Sequence, residues 1–171
     1  AIVADRRIDR FLDEHHCVGL PPLLIKSDPG IRMGFMGGQF MTASLVAEMR
    51  TMVTPASVQS IPTTADFQDI VSFSLIAGRK ARDIVTNVNY VLAFEAMCAA
   101  QAVDLREDGP ARLSVGGKAI YDEIRKVIPF LDEDRPYMDE MEEVARRIES
   151  GQILAAVEAA VGELELIHNE F

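Results

Sequence analysis

The sequence predicts an all-α protein, and three observations carry that prediction. Apolar residues recur at helical spacing along most of the chain. No stretch alternates apolar and polar residues as a half-buried strand does. The run from Thr64 to Asp104 holds no proline and only Gly78 as a helix-weakening glycine, so nothing in it stops a helix.

The elements follow in order. Residues 1–16 place Ile8, Phe11 and Leu12 at helical spacing among Asp5, Arg6, Arg7, Asp9 and Arg10, and Gly19, Pro21 and Pro22 end that helix. The chain opens at Ala1 inside this helix, which reads as one piece of a larger protein. Ser27-Asp28-Pro29-Gly30 is a turn. A second helix covers Gly37 to Met52, apolar around much of its circumference and closed by Pro55. Thr63-Thr64-Ala65-Asp66 fits the Ser/Thr-x-x-acid start signal, so the third helix is expected from Thr64 to Asp104, a rod of about 60 Å. Its apolar flanks demand neighbours on several sides, from this chain or from other subunits.

Beyond Arg106 the elements shorten. Ser114 caps a helix through Val127, and Pro129 ends it. Asp134-Arg135-Pro136 leads into a helix to Ser150, with Gly151 as its C′ residue. A last helix is expected from Gln152 to Ile167. The division expected is 1–106, a long-helix segment with its loop at 54–68, and 107–171, short helices of the same domain.

Composition bounds the function. The chain has 171 residues, 49% of them hydrophobic, enough for one domain with a core. A net charge of -10 argues against a nucleic-acid partner and fits a soluble cytoplasmic protein. There is no apolar run of about 20 residues free of charge, hence no membrane span. Cys17 and Cys98 read as buried free thiols.

Local motifs carry little chemistry. His15-His16 are adjacent and point about 100° apart on a helix, whereas metal ligands want i and i+3 or i+4, so no metal site is expected. Gly37-Gly38-Gln39 matches a release-factor tripeptide, but the chain is acidic, and the glycines read as a close helix approach. The polar residues Ser57, Gln59, Ser60, Thr63, Thr64, Asp66 and Gln68 crowd the expected mouth of the third helix. A helix mouth attracts anions, and any site is expected in part there. No catalytic triad, P-loop or dinucleotide fingerprint is present.

One block is more specific. Residues 57–72, SVQSIPTTADFQDIVS, closely resemble a block of the histidine, phenylalanine and tyrosine ammonia-lyases and the related 2,3-aminomutases. Leu20-Pro21-Pro22-Leu23, residues 34–39 (GFMGGQ), Pro55-Ala56-Ser57-Val58 and residues 100–106 (AQAVDLR) resemble further blocks of that family in the same order. The resemblance spans about residues 5–130.

It implies the C-terminal part of the ammonia-lyase (fumarase/aspartase-like) long-helix fold, in a homotetramer. It also implies the electrophilic cofactor methylidene-imidazolone (MIO), made from an Ala-Ser-Gly. No Ala-Ser-Gly occurs here, since Ala43-Ser44 precedes Leu45 and Ala56-Ser57 precedes Val58. The family's catalytic tyrosine loop has no counterpart either. The chain is therefore expected to need the remaining N-terminal part of the enzyme and sister subunits, and to be inactive alone. The resemblance implies Gln68 beside the cofactor and the amino acid substrate. Phe35 and Met36 would line the pocket, and Thr63, Thr64 and Asp66 would shape it. At the position of Gln68 the histidine enzymes typically carry Glu and the phenylalanine and tyrosine enzymes Gln. Gln68 thus favours a tyrosine or phenylalanine substrate over histidine, without separating lyase from aminomutase; the alternatives are a histidine ammonia-lyase fragment and a non-catalytic helical assembly module.

Overall fold

The computed structural model describes residues 1–164, and its regular elements are helices. Six α-helices follow in order: α1 (Ile2–Leu12), α2 (Met36–Met52), α3 (Ser74–Asp104), α4 (Val115–Arg125), α5 (Met138–Glu149) and α6 (Gln152–Val161). The expected all-α class holds. No described helix is long and apolar enough to cross a membrane.

The core lies around the C-terminal half of α3. Val91, Ala93, Phe94, Met97, Cys98, Ala100 and Ala102 are buried there, with Ile8 and Leu12 from α1, Val46 and Met49 from α2, and Met141 and Val144 from α5. Helix α5 packs on α3, and α4 pairs with α6. Polar groups lock the layers: Thr42 of α2 donates to the buried Asp5 of α1 (2.9 Å), and Gln39 donates to Asp9 (2.7 Å). Both cysteines are free and buried.

The Gly37-Gly38 pair is expected from the sequence to admit a neighbouring helix backbone; at Gly38 the structure instead seats the Phe94 side chain of α3, and Gly37 has no contact as close. A Cβ built at Gly38 would lie 2.0 Å from Cε2 of Phe94, so only hydrogen leaves room for the ring. Gly151 takes the left-handed conformation (φ 76°) after α5, as a C′ residue should. Ser114 caps α4, accepting the Gly117 N–H at 3.2 Å.

Three helix ends differ from the expectation by more than two residues. The first helix stops at Leu12, so His15 and His16 lie in the turn after it. The last helix stops at Val161, because Gly162 at φ 92° turns the chain out of it. Residues 165–167 of the expected helix lie outside the described residues. The largest difference is the start of α3. It begins at Ser74, ten residues after Thr64, which makes a rod of about 46 Å rather than 60 Å. Thr64, Ala65 and Asp66 adopt left-handed conformations at φ 55°, 51° and 65°. The Thr64 hydroxyl donates to the neighbouring carbonyl of Thr63 (2.7 Å) instead of capping a helix. Local hydrogen bonding of this kind competes with helix formation at Ser, Thr and Asp, and here it wins. Phe73, also left-handed, precedes α3 without a side-chain cap.

Candidate functional site

The loop between α2 and α3 is built in two stages. Pro55 opens a short 3-10 turn, Ala56–Gln59, whose Ala56 is buried against α3. Lys80 of α3 donates to the Thr54 carbonyl at 2.8 Å and fixes the approach to the turn. The chain then leaves the core, and residues 61–70 are exposed throughout.

This outer segment folds back on itself. Thr63 and Gln68 exchange backbone hydrogen bonds (2.9 and 3.2 Å), and Phe67 N–H donates to the Thr64 carbonyl (3.2 Å). The three left-handed residues 64–66 form the reversal. Gln68 therefore stands on one limb of a tight loop, not in the first turn of a helix. Its orientation comes from the backbone pair with Thr63. Asp66 lies at the tip, exposed, and does not cap α3. Among the described residues from Pro55 to Phe73, the side chains make two hydrogen bonds: Thr64 to the Thr63 carbonyl, and Ser60 with the Val71 N–H. Among the described residues the Gln68 carboxamide is thus unengaged, with two donors and an acceptor on offer.

Phe35 and Met36 are placed elsewhere. Phe35 is 1% exposed and packs edge-on against Phe94 (ring centroids 5.8 Å apart) and against Tyr137 (5.5 Å). It is a core residue in this chain. Met36 opens α2, half-buried. Two cavities of the described chain belong to neither group. One, of about 540 Å³, lies at the C-terminal end of α3 among Val103, Arg106, Asp108 and Arg112. The other, about 430 Å³ and mostly apolar, lies among Ile2, Val46, Met49, Val53, Ile84 and Val88. A pocket around Gln68 needs walls from outside the described chain.

The segment that carries Phe35 and Met36 is held from a distance. Asp134 accepts the N–H groups of Met33 and Gly34, both at 2.8 Å, and these two donors hold its carboxyl below the usual carboxylate range. Arg32 donates to the Asp132 carbonyl (2.7 Å) and pairs with Glu133 (3.1 Å). The Tyr137 hydroxyl accepts the Gly38 N–H (3.0 Å). Burial raises the Tyr137 phenol above its ordinary value. These contacts span about a hundred residues of sequence, so no local pattern announces them. His15 and His16 both turn to Asp13, at 3.2 and 2.8 Å. Hydrogen bonds from His15 N–H and the His16 ring lower the Asp13 pKa to about 2.

Comparison with known proteins supplies the context. The family model of aromatic amino acid lyases matches residues 1–126. The chain is 44% identical over 158 residues to the MIO-dependent tyrosine 2,3-aminomutase of Streptomyces globisporus, which covers 91% of this chain and 29% of that enzyme. It is 42% identical to the histidine ammonia-lyase of Natranaerobius thermophilus, over 96% of this chain and 32% of that enzyme. The crystal structure of the Streptomyces globisporus tyrosine aminomutase superposes with a TM-score of 0.88 at 42% identity, over 96% of this chain and 31% of that one. The chain thus spans about a third of the length of the relatives it matches, and its fold is the corresponding part of the ammonia-lyase and aminomutase fold. With the loop at 57–72 inside the matched range and the long-helix core superposed, this chain belongs to the aromatic amino acid lyase family.

Proposed function

We propose that this chain supplies the C-terminal portion of an aromatic amino acid ammonia-lyase or 2,3-aminomutase acting on tyrosine or phenylalanine. The observation that carries the reading is the exposed, backbone-ordered loop that presents Gln68 with its carboxamide unengaged. A residue whose backbone is held in place while its side chain offers donors and an acceptor suits a site whose other walls come from elsewhere. Overall similarity does not choose the substrate, since the tyrosine and histidine enzymes above match at 44% and 42%. Gln68 does: a neutral amide suits an aromatic ring with a polar amino acid end, where Glu brings a charge suited to imidazole.

The methylidene-imidazolone belongs to this reading, and its precursor Ala-Ser-Gly is absent from the sequence, so the rest of the enzyme provides it. That group, once formed, supplies the electrophile that activates the amino acid. The residues here fit it as neighbours and not as its source. Gln68 binds a polar group of the substrate and orients it. Thr63, through its backbone pair with Gln68, and Thr64, through its hydroxyl, close the reversal, and Asp66 stands at its tip. Met36, at the start of α2, lines the approach, with Phe35 fixing its backbone from the core. The exposed apolar residues of α3, Leu75, Ile76 and Val85, support a homotetramer in which sister subunits cover them. The net charge of -10 supports a cytoplasmic enzyme.

The test is Gln68→Ala in the complete enzyme. Turnover of tyrosine or phenylalanine is expected to fall roughly tenfold to a hundredfold, the effect of one lost hydrogen bond in a buried site. The melting temperature should hold, since Gln68 is exposed and its side chain makes no hydrogen bond among the described residues. Gln68→Glu should shift preference toward histidine only weakly. Unchanged kinetics for Gln68→Ala would overturn the active-site role.

A further inference from the structure

Ser60 carries the side-chain tie at the base of the Gln68 loop. Its hydroxyl oxygen accepts the Val71 N–H at 2.7 Å, across eleven residues of sequence. Ser60 is itself well held. Its N–H donates to the Ser57 carbonyl (3.1 Å), which closes the 3-10 turn whose Ala56 is buried on α3. Lys80 ties the residue before that turn to α3 as well. A chain of contacts therefore runs from the rigid helix to Ser60, and from Ser60 to the far limb of the loop.

The loop needs such a tie. Residues 61–70 are exposed throughout, so no packing within the chain fixes their path. Thr64, Ala65 and Asp66 sit in a region that residues with a Cβ disfavour, and such conformations persist only where the surroundings over-determine them. Two cross-links do this. The Thr63–Gln68 backbone pair joins the limbs near the tip, and the Ser60–Val71 bond joins them at the base. The tip pair is backbone to backbone and survives any side-chain change. The base pair rests on one hydroxyl.

We propose that Ser60 is a positioning residue whose hydroxyl clamps the base of the 61–70 loop and sets where Gln68 stands against the substrate. This rests on the reading of Gln68 as an active-site residue. Without the clamp the limbs separate more freely, and a small misplacement of a substrate-orienting group lowers rate far more than it lowers stability.

The test uses the full-length enzyme and compares Ser60→Ala, Ser60→Thr and Gln68→Ala. The kcat and KM for tyrosine, the melting temperature, and hydrogen exchange of the peptide spanning residues 61–73 are measured for each. Ser60→Ala is expected to lower kcat roughly fivefold to tenfold, with the melting temperature kept and exchange over 61–73 faster. Ser60→Thr should restore kcat, because it keeps the acceptor and Ser60 has an extended backbone (φ −57°, ψ 135°) that threonine adopts freely. Wild-type kcat for Ser60→Ala beside an impaired Gln68→Ala would overturn the clamp and leave the active-site reading standing. Wild-type kcat for Gln68→Ala would overturn the active-site reading itself. A Ser60→Ala enzyme that fails to fold, or whose loss of kcat follows its loss of melting temperature without rescue by threonine, makes Ser60 merely structural and overturns the proposal.

Discussion

Both halves of α3 carry apolar side chains, yet only one half is buried. From Val91 to Ala102 the helix is surrounded by α1, α2, α4 and α5, and Phe94, Cys98 and Gln101 are fully buried. From Ser74 to Asn87 it is largely exposed, with Leu75 at 74% and Val85 at 58%, and touches the bundle along one side through Lys80, Ile84 and Asn87. The loop before it exposes Val58, Ile61, Phe67 and Ile70 in the same way. The difference separates a core built from this chain's own contacts from apolar surface that those contacts leave exposed. One end of the helix is a core built around its own sequence. The other end carries large apolar residues, Leu75, Ile76 and Val85, that the described chain leaves exposed.

If the buried half is the true core, its most connected polar residue should be the most sensitive. Gln101 donates to the carbonyls of Leu24 (3.1 Å) and Leu131 (2.8 Å) and accepts from the Leu131 N–H (3.1 Å). It joins α3 to two loops far apart in sequence. Gln101→Ala leaves those groups buried without partners and opens a cavity, so about 3–5 kcal/mol of stability should be lost. Denaturant unfolding measures it, and a loss below about 1 kcal/mol would break the picture of a single stitched core.

Gly38→Ala tests the same region at its tightest contact. The added methyl meets the Phe94 ring, itself packed against Phe35 and Tyr137, so the ring has nowhere to go. Overpacking should cost about 2–3 kcal/mol, beyond the gain of about 1 kcal/mol from replacing a helical glycine. The same change at Gly78, in open space on the exposed half, should stabilise the chain instead.

Asp134 gives a smaller effect with a pH signature. Its ionised carboxylate receives the Met33 and Gly34 N–H groups, so its folded pKa lies below the unfolded value of about 3.9. The stabilisation is complete above the unfolded value and is lost as pH falls through the folded one. Thermal melts between pH 7 and pH 3 should therefore fall less steeply for Asp134→Asn than for the parent. Asp13, Glu123 and Glu143 are shifted in the same direction and remain in both proteins, so the difference isolates Asp134. Identical pH profiles would show that the segment at 132–137 does not hold the start of α2.

The sequence made the helices of the bundle legible because spacing, prolines and caps all agreed, as at Ser114 and Gly151. It misplaced the start of α3 because a Ser/Thr-x-x-acid pattern describes a helix cap and a tight reversal equally well. The choice between them lay in hydrogen bonds of Thr64 and Ser60 that spacing does not encode. Asp5 read as one of the polar residues between the apolar positions of its helix, but it is buried and receives the Thr42 hydroxyl. The clamp of Asp134 and Tyr137 on residues 33–38 was invisible because the partners lie about a hundred residues apart. Of the candidate site, the block at 57–72 carried the family and Gln68, whereas the core position of Phe35 needed the packing of three rings to be seen.

The smallest expected effect is the sharpest test of the comparison. Leu75 and Val85 are large apolar residues on the exposed half of α3 and touch little of the described chain. Replacing both by serine removes apolar surface without removing core. In this chain the unfolding free energy should stay within about 0.5 kcal/mol per site, the range of surface substitutions away from special features. Helix propensity alone accounts for a few tenths of that. The outcome should reverse in the complete enzyme. If sister subunits cover this half of α3, the two serines sit in an interface, and sedimentation should show dissociation at concentrations where the parent stays assembled. A loss above about 2 kcal/mol in the isolated chain would mean that this half is already part of the core. An unchanged assembly in the complete enzyme would mean that the apolar surface of this half is covered by nothing.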